Sequence, residues 1–432
     1  MTKTWRQRAL VALVMYGVAL CAAAKPQKAT LEAVLEWNAV ATDAMMAQAV
    51  ARPPGVPPYR ESRIYAIAFV AMHDTLNAIQ RRYQPYACDA FEPGASPVAA
   101  VATAAHDVLM TAFPAQAARF EAAYAATLED EPDSVRAGAG IALGRLCAAA
   151  LLATRADDGA DRAQVPYVPG GQPGDYRPTP PFDDPGNPQY GFVGDPLWGG
   201  VRPFALASAA QFRSPAPYAL GSAAYAADLN EVKLRGAAAG SNRTADESEI
   251  ALFWRESSPL GWNRIARTLA LARDFDAWEL ARTLALLQVA EADAYLASLE
   301  TKYHYNFWRP VTAIRLAGTD GNAGTAPDPA WISFHPVTPP IPDYNSAHSA
   351  AGGAARAVLS RVFGRDDLEF SQTSTSLPGA VRSYASLTEA ADENGLSRIL
   401  VGYHFRLAVD AGRAQGESVG NWVVDHVLGP AR

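Results

Sequence analysis

Apolar residues recur at intervals of three and four along most of the chain, and alanine and leucine are frequent between them. This spacing places apolar side chains on one face of an α-helix, and alanine and leucine favour helical backbone. The clearest case runs from residue 281 to residue 308 (ARTLALLQVAEADAYLASLETKYHYNFW) and predicts one long helix. The pattern therefore predicts an all-α protein.

One segment, residues 163–217, departs from this pattern because proline and glycine recur throughout it. Irregular segments of this length are uncommon inside compact domains. We interpret it as a wrapping loop between an N-terminal helical region, residues 25–162, and a C-terminal helical region, residues 218–432, which carries the candidate chemistry. Its aromatic side chains indicate packing against the helices, with a roof over an active site as the alternative. They are Tyr167, Tyr176, Phe182, Tyr190, Phe192 and Trp198.

The first 24 residues have the composition of a secretory signal peptide. Lys3, Arg6 and Arg8 precede an apolar stretch that ends in three alanines at residues 22–24, a suitable cleavage site. A membrane anchor is the alternative, but the apolar stretch is short for a spanning helix. No later segment is expected to be long and apolar enough to span a bilayer. The sequence thus predicts a secreted or periplasmic protein.

Charge and cysteine content limit the possible partners. The chain has a net charge of −7, and losing the three basic residues of the signal peptide leaves about −10. No basic stripe is present, so nucleic acid is excluded as an expected partner. Cys88 and Cys147 remain after cleavage. In an oxidising compartment they could pair, or both could be small core residues, and the sequence leaves these alternatives open.

Three short stretches near the C-terminus combine charged donors with imidazoles: KYHYNFWRP from 302, NSAHS from 345 and SRILVGYH from 397. A tetrahedral oxyanion such as phosphate or vanadate requires several charge-assisted donors around its oxygens. One imidazole can attack or ligate the central atom while the other moves a proton. The candidate residues are Lys302, Arg309, Ser346, His348, Arg398 and His404.

The spacing of the first two stretches favours a single site. Lys302 and Arg309 are almost two helical turns apart and would lie on one helix face. Pro310 disfavours helical backbone at Arg309, which places that residue at a helix end near a cleft. Ser346 is a candidate N-cap for a helix over 347–363, ended by a glycine, whose first N–H groups would point at an anion.

The third stretch does not fit an unbroken helix. Arg398 and His404 are six residues apart, which on a continuous helix turns them about 120° away from each other. Gly402 lies between them and can adopt backbone conformations that end or kink a helix. The sequence therefore predicts a break at Gly402 that turns His404 back.

Together the three stretches resemble the signature of the type 2 phosphatidic acid phosphatase and vanadium haloperoxidase superfamily, K-x6-R-P, P-S-G-H and S-R-x5-H-x3-D. The first motif is complete, and the second has Asn345 for proline and Ala347 for glycine. The third keeps Ser397, Arg398 and His404, but its acid position holds an alanine. The carboxylate that orients the histidine in the phosphatases is thus missing or displaced. Asp410, just beyond this position, is the candidate to orient His404, with a solvent-facing role as the alternative. Asp343 and Tyr344 flank the second motif and are expected to support its residues from behind.

The resemblance extends to WNAVATDAMM near residue 37, SRIYAIAFVAMHDTLNAI near 62 and LNEVKLRGAAAGSNRTADESEIALFW near 229, which look like the bacterial vanadium-dependent haloperoxidase-like branch. It implies helical bundles of the acid phosphatase and vanadium haloperoxidase type. It also implies vanadate as cofactor, or phosphate at the same site, and no divalent metal. In that family pattern His404 ligates vanadate, His348 is the acid–base and Lys302 polarises bound peroxide. The oxygens would be held by Lys302, Arg309, Ser346, the Ala347 N–H and Arg398.

Two activities remain open on this resemblance. The first is oxidation of halide by hydrogen peroxide, and the second is hydrolysis of a phosphate ester through a phosphohistidine at His404. The long haloperoxidase-like body, the absence of an expected membrane span and the altered third-motif acid favour the peroxidase. A non-catalytic oxyanion-binding protein is a third class. A homodimer is compatible with the sequence but is not specified by it.

The remaining histidines have simpler interpretations. A metal-dependent phosphohydrolase built on two His–Asp pairs is an alternative function, but short motifs are frequent by chance and the helix around the first pair favours a structural role. The pairs are His73–Asp74 and His106–Asp107. Of the other histidines, His304 is expected to be packed or at the surface, His335 to line the pocket from a loop, and His426 to interact with a helix C-terminus.

Overall fold

The computed structural model describes residues 4–51, 56–129, 131, 134–163 and 165–431. Within these ranges the chain forms thirteen α-helices and one small antiparallel sheet, which confirms the predicted all-α class. The helices are α1 (Thr4–Ala51), α2 (Pro58–Ile79), α3 (Pro97–Ala112), α4 (Ala117–Glu129), α5 (Ser134–Arg155), α6 (Ala223–Arg235), α7 (Ala245–Phe253), α8 (Ser258–Leu271), α9 (Ala277–Tyr305), α10 (Pro310–Arg315), α11 (Ala347–Phe363), α12 (Leu387–Leu400) and α13 (Arg406–His426). The strands are β1 (Phe370–Thr373) and β2 (Val381–Tyr384), paired with Phe370 opposite Tyr384. The predicted signal peptide, residues 1–24, lies outside the residues whose side chains are described.

Helix α9 runs through the centre of the molecule and packs against α2 on one side and α11 and α13 on the other. Asp276 caps its N-terminus in a capping box with Glu279, which satisfies the first backbone N–H groups. Almost every residue of α9 is buried, in keeping with its apolar, alanine-rich sequence. The helix ends at Tyr305 because Asn306 adopts a left-handed conformation with φ 51°. It therefore stops three residues before the sequence pattern ends.

One hydrophobic core is shared by helices from both halves of the chain. It contains side chains from α1, α2, α8, α9 and α13 that are fully or almost fully buried. Representative members are Trp37, Phe69, Trp262, Leu284 and Val419. Burial of such large apolar side chains contributes about 2 kcal/mol each relative to exposure. The N-terminal helices thus support the long helix that carries Lys302.

Helices α11 and α13 approach each other closely because glycines of α13 face the backbone of α11. A Cβ atom at Gly416 would lie 1.9 Å from the Ala350 carbonyl oxygen, and one at Gly412 would lie 2.3 Å from that of Ser346. The Ser346 N–H also donates to the Ala408 carbonyl at 2.8 Å. No side chain larger than hydrogen fits at these two positions. This contact brings the start of α13 against the second motif.

The N-terminal helices are joined by a covalent link. Cys88 and Cys147 form a disulfide with a Cα–Cα distance of 5.1 Å, so the pairing left open by the sequence is present. Cys147 lies on α5, which packs against α3. At the end of α5 the buried Arg155 is paired with Asp158 at 2.8 Å.

Helix α5 also corrects one expectation. Among the described residues, α5 is long and apolar enough by length and composition to cross a membrane, with a mean hydropathy of 1.6 over its most apolar window. The pair Pro97–Ala112 and Pro114–Glu129, bent by 119°, passes the same test when counted as one span. The prediction that no later segment meets this criterion is therefore wrong. Buried helices of proteins without a membrane span meet it as well.

The Pro/Gly-rich segment, residues 163–217, lies across the candidate motifs. Its described residues contain one short 3-10 helix, Trp198–Gly200, and otherwise turns and extended chain. Tyr176 and Trp198 are buried, whereas Tyr190 is 61% exposed, so only part of the aromatic set packs as predicted. Backbone hydrogen bonds tie the segment to the loops around the site, including Tyr176 N–H to Asn306 O at 2.8 Å and Gly194 N–H to Pro340 O at 2.7 Å.

Candidate active site

Lys302 lies in the last turn of α9 and is completely buried. Its ammonium donates to the carbonyl oxygens of Pro342 at 2.9 Å and Asp343 at 2.8 Å. Burial lowers the pKa of Lys302 well below its usual value, and the nearby Arg309 lowers it further. The side chain therefore anchors the loop that leads into the second motif and places positive charge next to Arg309.

Arg309 does not lie on the helix that carries Lys302. Since α9 ends at Tyr305, the helical spacing that the sequence suggested for the two residues is wrong, although Arg309 does lie at a helix end as Pro310 predicts. The guanidinium is fully buried and donates to Ile341 O at 2.7 Å and Tyr403 O at 3.0 Å. Its Nη1 is also 2.9 Å from His404 Nε2, whereas Nη2 has no hydrogen-bond partner among the described residues.

The second motif folds as its sequence predicts. Ser346 has an extended backbone and caps α11, with its Oγ accepting from the Ser349 N–H at 3.3 Å, and α11 ends at Gly364 with φ 71°. Asn345, in the position where the signature has proline, is buried and joins three parts of the fold. Its amide donates to Ser214 Oγ and Gln415 Oε1 and accepts from Ser298 Oγ. The motif is thereby fixed to the wrapping segment, α9 and α13.

His348 lies in the first turn of α11 and is half-buried, with its Nε2 shielded from solvent. Its Nδ1 is 2.9 Å from the Ser258 hydroxyl, and its Nε2 has no hydrogen-bond partner among the residues that the structure describes. Burial lowers the pKa of His348 well below its usual value, and the charge of Arg398 lowers it further. The ring is therefore neutral near pH 7 and can accept a proton at one nitrogen.

The predicted break in the third motif is confirmed. Helix α12 ends at Leu400, and Gly402 has φ 87°, a conformation that side chains other than hydrogen rarely adopt. The chain then turns back so that the N–H groups of Tyr403 and His404 donate to the Arg398 carbonyl at 3.0 and 3.2 Å. The break brings His404 beside Arg309, which a continuous helix would not do.

Arg398 is held from the side opposite His404. Its guanidinium donates to the Trp254 carbonyl at 2.8 Å and to the Ser397 hydroxyl at 3.0 Å. Burial lowers the pKa of Arg398 to about 10, so the group stays charged at neutral pH. The hydroxyl of Ser397 thus supports Arg398, which gives a physical role to the serine of the third motif.

Asp343 supplies the carboxylate that the third motif lacks. Its Oδ1 lies 2.9 Å from His404 Nδ1 and 3.9 Å from Arg309 Nη1, and the side chain is completely buried. The contact is polar but imperfectly aligned, since neither carboxylate oxygen has a hydrogen bond of good geometry among the described residues. Asp410, the candidate named from the sequence, is exposed on α13. The histidine is therefore approached by the acid before the second motif, and Asp410 does not orient it.

Hydrogen bonding decides which ring nitrogen of His404 carries the proton. Arg309 Nη1 can only donate, so Nε2 accepts, and the proton of the neutral ring lies on Nδ1 facing Asp343. Burial lowers the pKa of His404 well below its usual value, and Arg309, Lys302 and Arg398 lower it further. The Nε2 lone pair is thereby available on the side of the cations. Burial raises the pKa of Asp343 to about 7, and the charges of Arg309 and Lys302 oppose the rise.

The cluster as a whole fits a buried oxyanion. Three cations withdrawn from water face the single carboxylate of Asp343 within the described part of the chain, so their charges are incompletely balanced. Two polar atoms, Arg309 Nη2 and His348 Nε2, are buried without partners there. Leaving such groups unsatisfied costs about 1–3 kcal/mol each; an oxygen of a bound anion would accept from Arg309 Nη2, and a protonated oxygen of the ligand would donate to His348 Nε2. The residues therefore fit vanadate or phosphate by charge and by donor type.

The other histidines take different positions. His335 is half-buried, and its Nδ1 is 2.6 Å from the hydroxyl of Tyr403, the residue before His404. It contacts the edge of the site, as a loop histidine there was expected to do. His304 is exposed, and His426 at the end of α13 bonds the Trp422 carbonyl at 2.8 Å and stacks on its indole. Both agree with the non-catalytic interpretations.

The His–Asp pairs lie in the N-terminal half. Asp74 accepts from three backbone N–H groups of residues 86–88, and His73 is buried beside it with its Nε2 3.5 Å from the Gln84 carbonyl. His106 Nδ1 is 2.9 Å from Asp107, its own neighbour. The described residues contain no group of three or more His, Cys, Asp or Glu side chains placed to hold a metal ion.

Three residues of the site were not identified from the sequence. Ser258 contacts His348, the Trp254 carbonyl holds Arg398, and Tyr403 bridges His335 and Arg309. Ser258 and Trp254 come from a segment well before the motifs, the run WRESSPLGWNRIARTLA that begins at residue 254. The tryptophans and arginines of this run are conspicuous, but they do not reveal which side chain reaches the site.

Comparisons with known proteins agree with this geometry. Residues 282–431, which include all three motifs, match the family model described as the VCPO second helical-bundle domain. The vanadium chloroperoxidase of Curvularia inaequalis is 26% identical over 209 residues. That match covers 36% of this chain and 34% of the relative, so it spans about a third of the relative's length.

Solved structures resemble the whole chain. A bacterial vanadium-dependent iodoperoxidase is 27% identical with a TM-score of 0.77, and the match covers 94% of this chain and 98% of that one. A bacterial vanadium-dependent chloroperoxidase in its holo form has a TM-score of 0.67 at 18% identity, over 85% and 92% of the two chains, which supports the fold alone. The motifs, the fold and the sequence matches agree, and they support a likeness to the vanadium haloperoxidase-like branch of the type 2 phosphatidic acid phosphatase and vanadium haloperoxidase superfamily.

Proposed function

We propose that this chain is a secreted vanadate-dependent haloperoxidase that oxidises halide with hydrogen peroxide. The observation that carries the proposal is the set of buried cations around His404 Nε2, with donor and acceptor atoms left without partners. The iodoperoxidase and chloroperoxidase relatives support the same reaction class. Bound vanadate would supply a Lewis-acidic centre that activates peroxide for attack by halide without changing its own oxidation state.

The residues of this chain have separable roles in that reaction. Asp343 holds the Nδ1 proton of His404, so that Nε2 is the ligand nitrogen. The Arg309 nitrogen that now donates to Nε2 would donate to an oxyanion oxygen instead. Lys302 and Arg398 add charge, and the first N–H groups of α11, including that of Ala347 after the Ser346 cap, add the favourable end of a helix dipole.

His348 is the proposed acid–base. Its Nε2 is buried and without a partner among the described residues, and its lowered pKa keeps it neutral at neutral pH. A neutral imidazole can take a proton from incoming peroxide and return it to the leaving oxygen. Lys302, with two of its protons given to carbonyl oxygens, has a third proton for the reacting oxygens. These groups act by position and electrostatics, the usual source of catalysis at such sites.

A phosphatase is the second candidate, and one observation favours it specifically. A histidine with Nδ1–H directed at a carboxylate and an unprotonated Nε2, which here accepts from Arg309 Nη1, is also the arrangement required of a nucleophile that forms a phosphohistidine. Phosphoryl transfer and vanadate binding use the same five-coordinate geometry, so one site can serve both.

Secretion is proposed on the signal peptide and is supported by the Cys88–Cys147 disulfide, a bond of oxidising compartments.

The first experiment measures iodide and bromide oxidation by hydrogen peroxide, with and without orthovanadate, beside hydrolysis of p-nitrophenyl phosphate on the same sample. His404→Ala is expected to lose vanadate binding, and His348→Ala to retain it while turnover falls about 100-fold or more. His304→Ala, an exposed change on α9, is the control.

The outcomes separate the candidates. Vanadate-dependent halide oxidation supports the peroxidase, and phosphatase activity that vanadate inhibits supports the alternative. Oxyanion binding with neither activity would leave a binding protein. Normal peroxidase turnover in His404→Ala would refute the assignment of the ligand. The mature N-terminus, read by mass spectrometry of protein recovered outside the cytoplasm, tests secretion separately.

A further inference from the structure

The ring of His348 is held by a neutral hydroxyl. Ser258, the first residue of α8, is 2% exposed, and its Oγ lies 2.9 Å from His348 Nδ1. The hydroxyl of Tyr295 on α9 is buried near Ser258 but has no hydrogen bond of good geometry among the described residues. The Trp254 carbonyl also lies against His348. The second histidine of the site therefore has a partner of different chemistry from the carboxylate beside His404.

The neighbours of His348 decide where its proton lies. A carbonyl oxygen can only accept, so Trp254 favours an N–H on the ring. Ser258 has one rotatable hydroxyl proton, and when that proton points away from the ring, towards the nearby Tyr295, its oxygen accepts from Nδ1. Both contacts are satisfied by a proton on Nδ1. Nε2, which has no partner within the described residues, then presents its lone pair.

We propose that Ser258 is the positioning residue of the acid–base histidine: it fixes the Nδ1–H tautomer of His348 so that Nε2 receives the substrate proton. The inference rests on the proposed role of His348. It predicts a distinct function for a serine in the middle of the chain, 90 residues before its partner. A residue of this kind acts through the histidine and does not contact substrate.

Because charged groups surround His348, a neutral hydroxyl partner affects the charge state of its ring. Arg398 from α12 and His404 face the ring, and Tyr295 stands behind Ser258 on α9. The carboxylates of Glu61 and Glu291 are close enough to act on Tyr295, and no carboxylate of the described residues contacts His348. His348 therefore stays neutral and acts first as a base. A carboxylate at position 258 would instead favour the charged imidazolium.

The test compares Ser258→Ala with two matched variants. Ser258→Thr keeps the hydroxyl, and Ser257→Ala removes a neighbouring hydroxyl that donates to Glu61 and not to His348. Histidine nitrogen chemical shifts of 15N-labelled full chain, assigned by omission in His348→Ala, report the tautomer directly. In Ser258→Ala we expect a mixture of tautomers, a fall in kcat of at least about tenfold, and a vanadate Kd within about twofold of wild type.

Each result separates this inference from the proposed function. A pure Nδ1–H tautomer and full kcat in Ser258→Ala, with turnover lost in His348→Ala, would overturn the role of Ser258 and leave the function intact. Turnover retained in His348→Ala would refute the proposed acid–base role of His348, and with it the proposed function. Recovery of both tautomer and kcat in Ser258→Thr, with Ser257→Ala unchanged, supports the inference. If Ser258→Ala does not fold, the pH profile of kcat in Ser258→Asp provides the test. The inference requires the acid limb of that profile to move to higher pH than in wild type, and an acid limb at the wild-type pH contradicts it.

Discussion

Two buried His–Asp pairs, one in each half of the molecule, use the same residue types in opposite ways. In the N-terminal half, the Asp74 carboxylate accepts three backbone N–H groups at 2.7–2.9 Å, and His73 is packed beside it. In the C-terminal half, Asp343 approaches His404 and Arg309, and its oxygens lack well-aligned donors among the described residues. The Asp74 cluster thus finds its hydrogen-bond partners within the protein, whereas the Asp343 cluster requires an anion to supply them.

The difference teaches how to distinguish structural from functional buried charge. Burial alone perturbs both: it raises the pKa of Asp74 to about 6 and that of Asp343 to about 7. A shifted pKa therefore does not mark a functional site. The two clusters differ in hydrogen bonding, since the oxygens of Asp74 have partners whereas Arg309 Nη2 and His348 Nε2 have none among the described residues. Buried donor and acceptor atoms left without partners beside cations are the better indication of a ligand.

The largest effect is expected from Asp343→Ala. Removing the carboxylate leaves Arg309 and Lys302 buried without their counter-charge, which should lower the free energy of unfolding by about 5 kcal/mol in the absence of an oxyanion. Phosphate or vanadate should restore more stability to this variant than to wild type, because the anion replaces the missing charge. Thermal unfolding with and without each anion measures both effects.

Asp410→Ala is the matched control for that change. Asp410 is exposed on α13, and the family spacing made it the competing candidate for orienting His404. Its removal should change stability by less than about 1 kcal/mol and leave turnover unchanged. A large loss of turnover in Asp410→Ala, with Asp343→Ala active, would reverse the assignment of the orienting carboxylate.

A smaller effect, of a different kind, is expected from Asp74→Ala. Three backbone N–H groups at residues 86–88 would lose their acceptor, at a cost of about 4 kcal/mol in unfolding free energy. Oxyanion affinity, measured well below the unfolding temperature, should stay within about twofold of wild type, because this cluster is remote from the motifs. Isothermal titration and chemical denaturation on the same sample give the two numbers.

The exposed Asp89 provides the control for this region. Its ion pair with Arg81 lies at the surface, with the Asp89 side chain 73% exposed, and such pairs contribute less than about 1 kcal/mol. Asp89→Ala should therefore resemble wild type in both measurements. If Asp74→Ala weakened vanadate binding as much as Asp343→Ala does, the two clusters would be coupled and the distinction drawn from their hydrogen bonds would fail.

The same contrast explains how far the sequence could predict the site. Signals that act within a helical turn were sufficient: the Ser346 cap, the helix over 347–363 and the break at Gly402 all occur as predicted. The helix end at Arg309 was predicted, but its place on the same helix as Lys302 was wrong, because the left-handed Asn306 ended α9 early. Helix ends depend on a few local contacts whose balance a periodic pattern does not contain.

Partners of buried side chains were harder to predict than the motifs themselves. Asp343 could be named from the sequence only as one of two acids near the motifs, and Ser258 could not be named at all. Which acid reaches His404 is decided by the packing of α13 on α11 and by the loop after Gly402. Those contacts join segments far apart in the chain, so no local spacing encodes them. The all-α class was predictable because it needs only the periodicity.

The smallest effect is a change in the pH dependence of stability at His73. Burial lowers the pKa of His73 to about 4, whereas an unfolded histidine titrates near 6.5. Between these values the unfolded chain binds a proton that the folded chain does not, so His73 makes the protein less stable as pH falls from 6.5 to 4, by up to about 3 kcal/mol. The raised pKa of Asp74 acts in the opposite direction, because the folded chain keeps that proton longer. The pH dependence of wild-type stability therefore shows only the net of the His73 and Asp74 contributions.

His73→Gln isolates the histidine contribution. The unfolding free energy of wild type minus that of His73→Gln should decrease as pH falls from 6.5 to 4. Urea titrations at half-unit pH steps provide the measurement. A difference that does not change with pH would mean that His73 takes up its proton in the folded protein as readily as in the unfolded chain. It would then need a buried anion as partner, and Asp74 would have to serve it in place of the three N–H groups that it now accepts.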